Sequence, residues 1–534
     1  MSQHKNGSFS SSIWLTVPRM AIGLALTLFG AANAEIFECN DGNTKCLIEA
    51  IELSNANNEA DVISLGAGIY KLTTINSISS NSGTNLGPNG LPEILTPIRI
   101  TGESAVTTVI RRSKGTPIFR IFSVGREGEL TLEGVTIAGG TTNAEYNATG
   151  LGGGISNYGN LEINGCIIED NQSVSGGGIY TNSGEVRITD TTLIRNTSLS
   201  IGGGIYNDYG LSPGIVMLKN CSFIENSALN GGAIENTGIM TLTNVTIAKN
   251  IANKLESGGA GIFNTGEGTV WITSSTISRN EAIGHGGGIR SSIGSPIYLL
   301  NTILSENEAL LGSPDCVGDI VSLGYNLIGS PCLALRLTDL VGAPGLDELV
   351  VEEEPGKIHY PLLVNSQAID KGDDTSCLPN DQLDNPRVDG DSDGNIVCDI
   401  GAVEFQVGLL NIDIDIKPTN KYTIIRPGSK GYIWVALLSS TDPGTLFDPS
   451  SQVNIPTVVF GTNGAVPIRH YVNELNMDGL DDLLLQFKIT ETGIACGDNE
   501  ASLTGEKFDG QSFTGTDSIK TVGCRHGAFQ ETSQ

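Results

Sequence analysis

The sequence is poor in aromatic and basic residues for its length. Aromatics make up 5% of the 534 residues, whereas a compact globular core of this size normally uses more large side chains. Lys and Arg number 30 against 59 Asp and Glu, which gives a formal net charge of −29 at pH 7. Such a surface repels nucleic-acid phosphates and anionic membranes, so we expect no nucleic-acid partner. Its acidity fits either attraction of cations such as Ca²⁺ or simple solubility.

Long apolar runs are also scarce. The clearest one, residues 20–29, follows Lys5 and Arg19 and precedes Ala32-Asn33-Ala34, a small-x-small cleavage pattern. It is too short to span a bilayer. We therefore expect a signal peptide over residues 1–34 and a mature chain that is exported to the cell surface, the medium or the periplasm. Because no second run of spanning length follows, we expect no transmembrane segment in the mature chain.

The ten cysteines fall mostly into local pairs, which suits an oxidising destination. Short loops make neighbouring partners the simplest pairing, although sequence alone does not prove connectivity. Cys166 and Cys221 are left over, and we expect both to be small buried side chains. The predicted disulfides are Cys39–Cys46, Cys316–Cys332, Cys377–Cys398 and Cys496–Cys524.

Glycine, by contrast, is abundant at 69 residues and recurs in clusters of two or three, each followed by an isoleucine. A phosphate-binding loop is the alternative interpretation, but no Gly-Lys-Ser/Thr follows any cluster, and none opens a helical pattern. Six copies spaced by about 24–30 residues indicate a repeated structural unit. The isoleucines are Ile155, Ile179, Ile205, Ile234, Ile262 and Ile289.

A second set of columns lies between the glycine clusters. Asparagines end short apolar strands at Asn171, Asn196, Asn226, Asn250, Asn280 and Asn307. Three residues before them lie Ile168, Leu193, Phe223, Ile247, Ile277 and Leu304, and eight before them lie Ile163, Ile188, Leu218, Leu242, Ile272 and Leu299. Fixed columns at a variable repeat length predict stacked coils, in which each strand pairs with the coils above and below. We expect each asparagine to take a left-handed turn conformation and to hydrogen-bond along the stack.

These patterns predict an all-β protein with a parallel β-helix as its main body. Residues 46–57 read as a short helix that would cap the N-terminal opening with Leu47, Ala50, Ile51 and Ser54. After residue 411 strictly alternating strands predict an antiparallel β-sandwich. The expected divisions are a signal peptide at 1–34, an N-terminal cap at 35–59, the β-helix at 60–406, the sandwich at 407–525 and a tail at 526–534.

Both ends of the β-helix carry motifs of a known family. Cys46-Leu47-Ile48-Glu49-Ala50-Ile51 near the start, and Cys398-Asp399-Ile400-Gly401-Ala402-Val403-Glu404 near the end, resemble bacterial right-handed β-helix proteins of the choice-of-anchor Q type. The glycine and asparagine repeats are also similar to those of polymorphic outer-membrane proteins. The resemblance covers roughly residues 39–405 and implies an exported surface or secreted protein, mostly without an assigned activity. Members usually carry a C-terminal anchor, whereas residues 525–534 contain no apolar anchor.

The C-terminal region has its own resemblance. Asp413-Ile414-Asp415-Ile416-Lys417-Pro418 and Ala501-Ser502-Leu503-Thr504-Gly505 resemble an accessory domain of exported bacterial proteins. This likeness implies a location outside the cytoplasm and no particular chemistry.

Two acidic loops have the oxygen-ligand spacing of calcium sites. In the first, alternate ligands with a glycine at the sharp turn match the first half of a Ca²⁺ loop, while no Glu occupies the twelfth position. In the second, a glycine follows the third ligand. The alternative is a polar surface turn, held in the first case by the Cys377–Cys398 bridge. The candidate ligands are Asp389, Asp391, Asp393, Asn395 and Asp399 in the first loop, with Glu404 as another way to complete the shell, and Glu474, Asn476, Asp478 and Asp482 in the second.

No catalytic constellation is evident from the sequence. The acidic residues on the stack form no evident pair, and His285, His359 and His470 lack clear partners. We expect a monomeric, non-enzymatic scaffold for binding, adhesion or spacing, stabilised by Ca²⁺, with a polysaccharide or surface ligand. The alternative is a polysaccharide lyase or glycoside hydrolase that acts along a groove of the stack. An autotransporter passenger is disfavoured because the last part of the chain lacks a membrane-barrel pattern. The acidic stack residues are Glu169, Asp170, Asp208, Glu225 and Glu235.

Overall fold

The computed structural model describes residues 34–523, apart from residues 58, 82–83, 144–149, 183, 211–213, 256–257, 333, 391–394, 407–409, 419–422, 441–446, 476–478 and 509–510. The predicted signal peptide, except for Ala34, and the predicted tail lie outside the described residues. Within them, no helix is long and apolar enough to cross a membrane. The main body is a stack of parallel coils, which confirms the predicted β-helix. Its right-handed winding stays a prediction.

A complete coil contributes strands to four faces, as the coil that begins at Asn160 shows. Asn160–Asn164 lies on the first face, Ile167–Glu169 on the second, Gln172–Ser175 on the third and Ile179–Asn182 on the fourth. The first and second faces belong to one 20-stranded sheet, the third to a six-stranded sheet and the fourth to an eight-stranded sheet. All neighbouring strands on these faces are parallel, because each coil repeats the direction of the one before.

The strands of the 20-stranded sheet follow the coil order. The first face consists of Ile36–Cys39, Asp61–Leu65, Pro97–Gly102, Glu129–Glu133, Asn160–Asn164, Glu185–Thr189, the first halves of Ile215–Ile224 and Ile239–Ala248, Thr269–Thr273, Ile297–Leu300 and Ile320–Gly324. The second face consists of Gly68–Leu72, Thr108–Arg112, Thr136–Ala138, Ile167–Glu169, Thr192–Ile194, the second halves of the same two long strands, Thr276–Ser278, Ile303–Ser305, Leu327–Ile328 and Leu340–Val341.

The other two faces are narrower. The third consists of Gln172–Ser175, Thr197–Ile201, Ser227–Ala228, Ile251–Ala252, Glu281–Ala282 and Glu308–Ala309. The fourth consists of Phe122–Val124, Ile155–Asn157, Ile179–Asn182, Ile205–Asp208, Ile234–Asn236, Ile262–Asn264, Ile289–Ser291 and Cys316–Val317. An antiparallel hairpin, Ser77–Asn81 with Thr84–Asn89, projects from an early coil.

The predicted apolar columns lie in register through the stack. On the fourth face Ile155 pairs with Ile179, Ile179 with Ile205, and the file continues through the later isoleucines to Ile289. The columns that begin at Ile163 and Ile168 are aligned in the same way on the first and second faces. These side chains are almost completely buried and form one continuous core. Sequence spacing therefore determined the interior of the stack, as predicted.

The asparagine column forms a hydrogen-bonded ladder along the stack axis. Asn196 Nδ2 donates to Asn226 Oδ1 over 3.0 Å, and Asn226 Nδ2 donates to Asn250 Oδ1 over 3.0 Å. The same contact links every neighbouring pair from Asn171 to Asn307, and the ladder ends on the buried carboxylate of Asp315. Axial bonding of the amides is thus confirmed.

The predicted backbone conformation of these asparagines is wrong. The left-handed residue is the one before each asparagine, for example Arg195 at φ 54° and Glu225 at φ 55°. The asparagine itself must point inward so that its amide can bond along the axis, and the preceding charged residue makes the turn with its side chain in solvent. The left-handed residues of this column are Asp170, Arg195, Glu225, Lys249, Arg279 and Glu306.

The glycine clusters make a sharp corner between the third and fourth faces. Gly202 adopts φ +62°, a left-handed conformation that few other residues tolerate. A Cβ on Gly203 would lie 2.1 Å from the carbonyl oxygen of Gly232 in the next coil. The corner therefore requires glycine both for its backbone angle and for the close approach of successive coils.

The N-terminal opening of the stack is covered by the helix Thr44–Asn57, as predicted. Its buried positions are Leu47, Ala50, Ile51 and Ser54, and the three apolar ones join the core of the stack. The Cys39–Cys46 disulfide ties the helix to the first strand. Covering this end removes an open strand edge that would otherwise be free to pair with another chain.

Three of the predicted disulfides are present, namely Cys39–Cys46, Cys316–Cys332 and Cys377–Cys398. Cys496 is also disulfide-bonded, and its predicted partner Cys524 lies outside the described residues. Cys166 and Cys221 are free and buried, as expected. Disulfides of this kind are typical of an oxidising environment.

The C-terminal region forms two four-stranded sheets around a second core, which confirms the predicted sandwich. One sheet contains Leu410–Asn411, Ser512–Ser518, Glu500–Glu506 and Val459–Phe460, and the other contains Ile414–Ile416, Tyr432–Leu437, Asp482–Lys488 and Arg469–Asn473. Ile424–Ile425 pairs with Lys520–Thr521, and short helical turns occur at Pro449–Gln452, Ile455–Thr457 and Ile489–Glu491. Phe487 from one sheet and Phe513 from the other belong to the same buried cluster.

Candidate functional site

The second face is covered over much of its length by the chain that follows the last coil. We call residues 342–406 the return segment. Its described part packs with Ile358, Tyr360 and Ile400 against side chains such as Ile224 and Ile303 of the second face. Because this packing removes the face from solvent, the covered coils offer no surface there to a ligand.

A column of hydroxyl groups on the second face holds the return segment in place. Ser222 Oγ donates to the carbonyl oxygen of Ile358 over 2.8 Å, and Thr246 Oγ1 donates to Gln382 Oε1 over 2.6 Å. The backbone N–H groups of Gly356 and Ala402 donate to hydroxyl oxygens of the same column. Sequence analysis missed this role, although a Ser or Thr one residue before each interior apolar position was a readable signal. The column consists of Thr192, Ser222, Thr246 and Thr276.

The motif near the end of the return segment makes contacts that stabilise its fold. Glu404 forms an ion pair of 2.7 Å with Arg387, and both side chains are nearly inaccessible to solvent. Asp381 accepts hydrogen bonds from the backbone N–H groups of Leu383, Asn385 and Glu404. These residues therefore fix the course of the return segment.

The first acidic loop lies within the return segment. Asp391 and Asp393 lie outside the described residues, while Asp389, Asn395 and Asp399 lie within them. Asp399 is 1% exposed, and its Oδ1 accepts the backbone N–H of Asp370 over 2.7 Å. Burial, together with the nearby Glu404 and Asp370 carboxylates, raises the pKa of Asp399 to about 8. A divalent cation at this point would offset that clustered negative charge.

The structure brings Asp370 to the first acidic loop, which the sequence did not indicate. Its Oδ2 lies 3.4 Å from the position that a Cβ on Gly390 would occupy. Within the described part of the chain, no group of three or more His, Cys, Asp or Glu side chains is arranged to hold a metal ion. The predicted calcium ligands of this loop therefore stay predictions, with Asp370 as a further candidate.

The second acidic loop lies at the edge of the sandwich. Asn476 and Asp478 lie outside the described residues. Asp482 is fully buried, and its carboxylate accepts hydrogen bonds from the N–H and Oγ of Ser439 and from the N–H of Leu475. Glu474 Oε2 accepts the backbone N–H of Gly479 over 3.0 Å. These bonds close the loop, and its calcium ligation also stays a prediction.

One carboxyl group of the stack has an unusual environment. Glu235 is 5% exposed on the fourth face, between Tyr206 and Phe263 of the neighbouring coils. Its Oε2 has no hydrogen-bond partner among the described residues. Burial raises the pKa of Glu235 to about 8, and the charge of Lys254 opposes this shift. The carboxyl group is therefore largely protonated at neutral pH.

The remaining acidic residues that the sequence singled out on the stack have ordinary partners or solvent. Asp208 accepts hydrogen bonds from the hydroxyl groups of Tyr180 and Tyr206. Glu169 and Asp170 both bind Arg195. None of these three carboxylates, nor the exposed Glu225, shares the buried environment of Glu235.

The first face carries two outward aromatic rings in adjacent coils, the exposed Trp271 and the half-buried Tyr298. Trp271 and Tyr298 are directly paired in register, and their rings stack with centroids 5.7 Å apart and planes inclined by 14°. Trp271 is 39% exposed. Thr241 in the preceding coil and Thr273 on the same strand place hydroxyl groups beside the rings. Together these four side chains form a flat, uncharged platform, which we call the aromatic platform.

A second aromatic surface lies on the sandwich. Trp434 and Tyr471 have ring centroids 5.6 Å apart and line a cleft of about 670 Å³ together with Tyr432, Lys417 and Asn473. Tyr432 and Tyr471 are both more than half exposed. Exposed rings in a concave surface are a common feature of ligand sites.

The described fold defines the class, a parallel β-helix protein with a C-terminal antiparallel sandwich. The chain matches no protein-family model, no curated protein and no solved structure. The resemblance to the choice-of-anchor Q type, and the domain boundaries inferred from the sequence, therefore stay predictions.

Proposed function

We propose that the protein is an exported, non-enzymatic scaffold, secreted or held at the cell surface, whose first face binds polysaccharide. The observation that carries this proposal is the aromatic platform of Trp271 and Tyr298. The return segment covers much of the second face, whereas the outward side chains of the first face around the platform are exposed or half-buried. The proposal agrees with the family resemblance, whose members are exported proteins of the choice-of-anchor Q type.

The chemistry of the aromatic platform suits a sugar ring. Trp and Tyr present large, rigid apolar faces at a low cost in side-chain entropy, and a sugar ring presents an apolar C–H face with a polar rim. Thr241 and Thr273 can donate hydrogen bonds to that rim. Because the coils repeat every 4.8 Å or so, neighbouring coils can contact successive parts of one extended chain.

A binding assay with the exported chain tests this proposal. Affinity electrophoresis against a panel of soluble uncharged polysaccharides should show retardation of the wild type by at least one of them. Trp271→Ala should weaken that binding by about tenfold or more, because a central aromatic contact commonly contributes about 2 kcal/mol. The control is Leu199→Ala, which removes an exposed apolar side chain of the third face.

Two results would contradict the proposal. One is that no polysaccharide of the panel retards the wild type. The other is that Trp271→Ala and Leu199→Ala both bind the polysaccharide as tightly as the wild type. A circular-dichroism melt of each variant verifies that the exposed substitution leaves the fold intact.

The cleft on the sandwich would give the protein a second contact of the same kind. Tyr432 and Tyr471 offer exposed rings there beside the half-buried Trp434, and Asn473 and Lys417 offer polar groups. Two linked sites raise the overall affinity for a polymer because the second contact forms within the first complex.

We also propose a structural role for Ca²⁺ in the acidic loops. The candidate ligands are carboxylate and amide oxygens, the ligand type that Ca²⁺ prefers. In the first loop, the buried Asp399 is the observation that favours a cation, because burial and the nearby Glu404 and Asp370 carboxylates disfavour its charged form.

A polysaccharide hydrolase or lyase is the second candidate function, and Glu235 is the residue that favours it. A carboxyl group that stays protonated at neutral pH can act as a general acid on a glycosidic oxygen. The test is release of reducing ends or unsaturated products from polysaccharides, with Glu235→Gln as the inactive variant. Turnover by the wild type that Glu235→Gln abolishes would establish this candidate in place of a purely binding role.

A further inference from the structure

A cationic pocket opens at the N-terminal end of the second face, before the part that the return segment covers. It has a volume of about 740 Å³. Four basic side chains line it, together with neutral groups such as Ser113 and Gln172. We call this the basic pocket, and its basic side chains are Lys71, Arg111, Arg112 and Lys114.

The strand register brings these charges together. Lys71 and Arg111 are direct partners on adjacent parallel strands, so their backbones lie about 4.8 Å apart. Like charges placed directly opposite each other destabilise a sheet. The chain has about twice as many acidic as basic residues, yet basic side chains gather at this point. Such a local excess of positive charge favours binding of a negatively charged ligand.

Arg112 is held in place by neutral groups. Its Nε donates to the carbonyl oxygen of Gly139 over 2.9 Å, and its Nη2 donates to Thr141 Oγ1 over 2.8 Å. These bonds orient the guanidinium without neutralising it. Lys114 follows on the next turn with an exposed side chain.

The charge of the basic pocket is not balanced by its own surroundings. Within the described part of the chain, none of its four basic side chains forms an ion pair. Asp170 also lines the pocket, but its carboxylate binds Arg195 over 2.9 and 3.2 Å. The local excess of positive charge is therefore left for a ligand.

We propose that the basic pocket binds an acidic sugar residue, one that carries a carboxylate or a sulfate, within an extracellular polysaccharide. Guanidinium groups bind both anions through paired hydrogen bonds, and lysine adds charge. The volume is that of a small-ligand site, large enough for a sugar residue and its ring substituents. Ser113 and Gln172 provide neutral partners for sugar hydroxyls.

The same observations disfavour a nucleic acid. An extended polyphosphate requires a stripe of cations along its backbone. Outside the basic pocket, its further phosphates would lie against the surface of a protein of net charge −29, which repels them. A polysaccharide that carries its charge on one residue in every few needs only the local cluster.

The experiment measures binding of the full exported chain to four probes by affinity electrophoresis and by titration calorimetry. The probes are a polyuronate, a sulfated galactan, an uncharged dextran and a single-stranded oligonucleotide. The double variant Lys71→Gln/Arg111→Gln removes the two paired charges, and Lys520→Gln, an exposed residue of the sandwich, is the matched control.

We expect the wild type to bind the polyuronate, the sulfated galactan or both, and to lose affinity as salt rises. The double variant should bind that polymer at least tenfold more weakly and with a smaller salt dependence, while Lys520→Gln stays within twofold of the wild type. Binding of one charged polymer alone identifies the anionic group as carboxylate or sulfate. Each of these patterns supports the proposal.

Three results would overturn it. They are unchanged affinity of the double variant, failure of both charged polysaccharides to bind, and tighter binding of the oligonucleotide than of either polysaccharide. The outcome is separate from that of the aromatic platform, because the two sites lie on different faces. Trp271→Ala tests the uncharged ligand, and the double variant tests the charged one.

Discussion

At the scale of single residues, buried asparagines connect neighbouring coils in addition to the apolar columns. Each ladder asparagine is almost fully buried and bonds to an amide, a backbone N–H and a carbonyl oxygen. The sequence predicted this ladder because the asparagines recur at a fixed distance from interior residues. It did not predict which residue turns left-handed, since two adjacent polar positions both suit a turn and only the inward orientation distinguishes them.

Truncating one ladder asparagine should strongly destabilise the stack. Asn226→Ala leaves the backbone N–H and amide of Asn196, the carbonyl oxygen of Leu193 and the amide oxygen of Asn250 short of partners. Each buried unsatisfied group costs about 1–3 kcal/mol, so we expect a loss of at least about 3 kcal/mol in the free energy of unfolding. Urea denaturation followed by circular dichroism measures it.

The matched control for that variant is Asn253→Ala. Its exposed side chain makes one hydrogen bond to Ser227, and we expect a loss below about 1 kcal/mol. Equal losses in Asn226→Ala and Asn253→Ala would contradict the energetic role of the ladder.

Glu235 should make stability depend on pH. Its folded-state pKa of about 8 lies above the ordinary value of 4.5, so the folded state retains a proton that the unfolded state has lost. The contribution of Glu235 to the free energy of unfolding is therefore most favourable below pH 4.5. It falls as the pH rises from 4.5 toward 8, and it no longer changes above pH 8. Glu235→Gln should therefore match the wild type at low pH and exceed it at pH 8, on the order of a few kcal/mol.

Thermal melts of both proteins across that pH window measure the difference. Glu225→Gln, which changes an exposed left-handed residue, should run parallel to the wild type. Parallel curves for wild type and Glu235→Gln would show that the carboxyl group titrates normally and would remove the support for an acid catalyst.

At the scale of elements, the return segment was the least predictable part of the chain. Its motifs are readable, but its partners are hydroxyl groups on strands more than 100 residues away, as in the bond between Thr246 and Gln382. Such pairs have no fixed spacing in sequence. The N-terminal helix, in contrast, was predictable because its buried face follows from a local period. The two acidic loops were found from local spacing, whereas Asp370 joined the first loop only through folding.

Removal of Ca²⁺ should lower the thermal stability of the elements that contain the acidic loops. A ligand that binds only the folded state stabilises that state. The stabilisation grows with the ratio of the ligand concentration to the dissociation constant of the ligand. We therefore expect a chelator to lower the melting temperature and added Ca²⁺ to restore it. Differential scanning calorimetry of the full chain measures the shift.

Variants assign the calcium effect to a loop. Asp389→Asn should abolish the shift that comes from the first loop, and Glu474→Gln the shift from the second. Asp319→Asn, in the turn before the strand Ile320–Gly324, serves as the control. Identical melts with and without chelator at micromolar to millimolar Ca²⁺ would contradict a calcium-stabilised fold.

At the scale of the whole molecule, the binding proposals depend on coils that lie directly above one another. The aromatic platform and the basic pocket both arise from residues far apart in sequence that register places side by side. The fold could be predicted because the residues that set the strand register recur at fixed positions in each repeat. The sites could not, because their outward-facing residues occur once and form no column.

Distances between spin labels along the first face test this register most directly. Glu162, Thr241 and Val321 are outward positions of one column. Three coil steps separate Glu162 from Thr241, and three more separate Thr241 from Val321. Cysteine substitutions at these sites, in a chain whose free Cys166 and Cys221 are replaced by alanine, allow pulsed electron resonance measurements. We predict a distance of about 14 Å between the first two labels and about 29 Å between the outer two. Distances that do not double from one pair to the other would contradict the stacked register and both binding sites inferred from it.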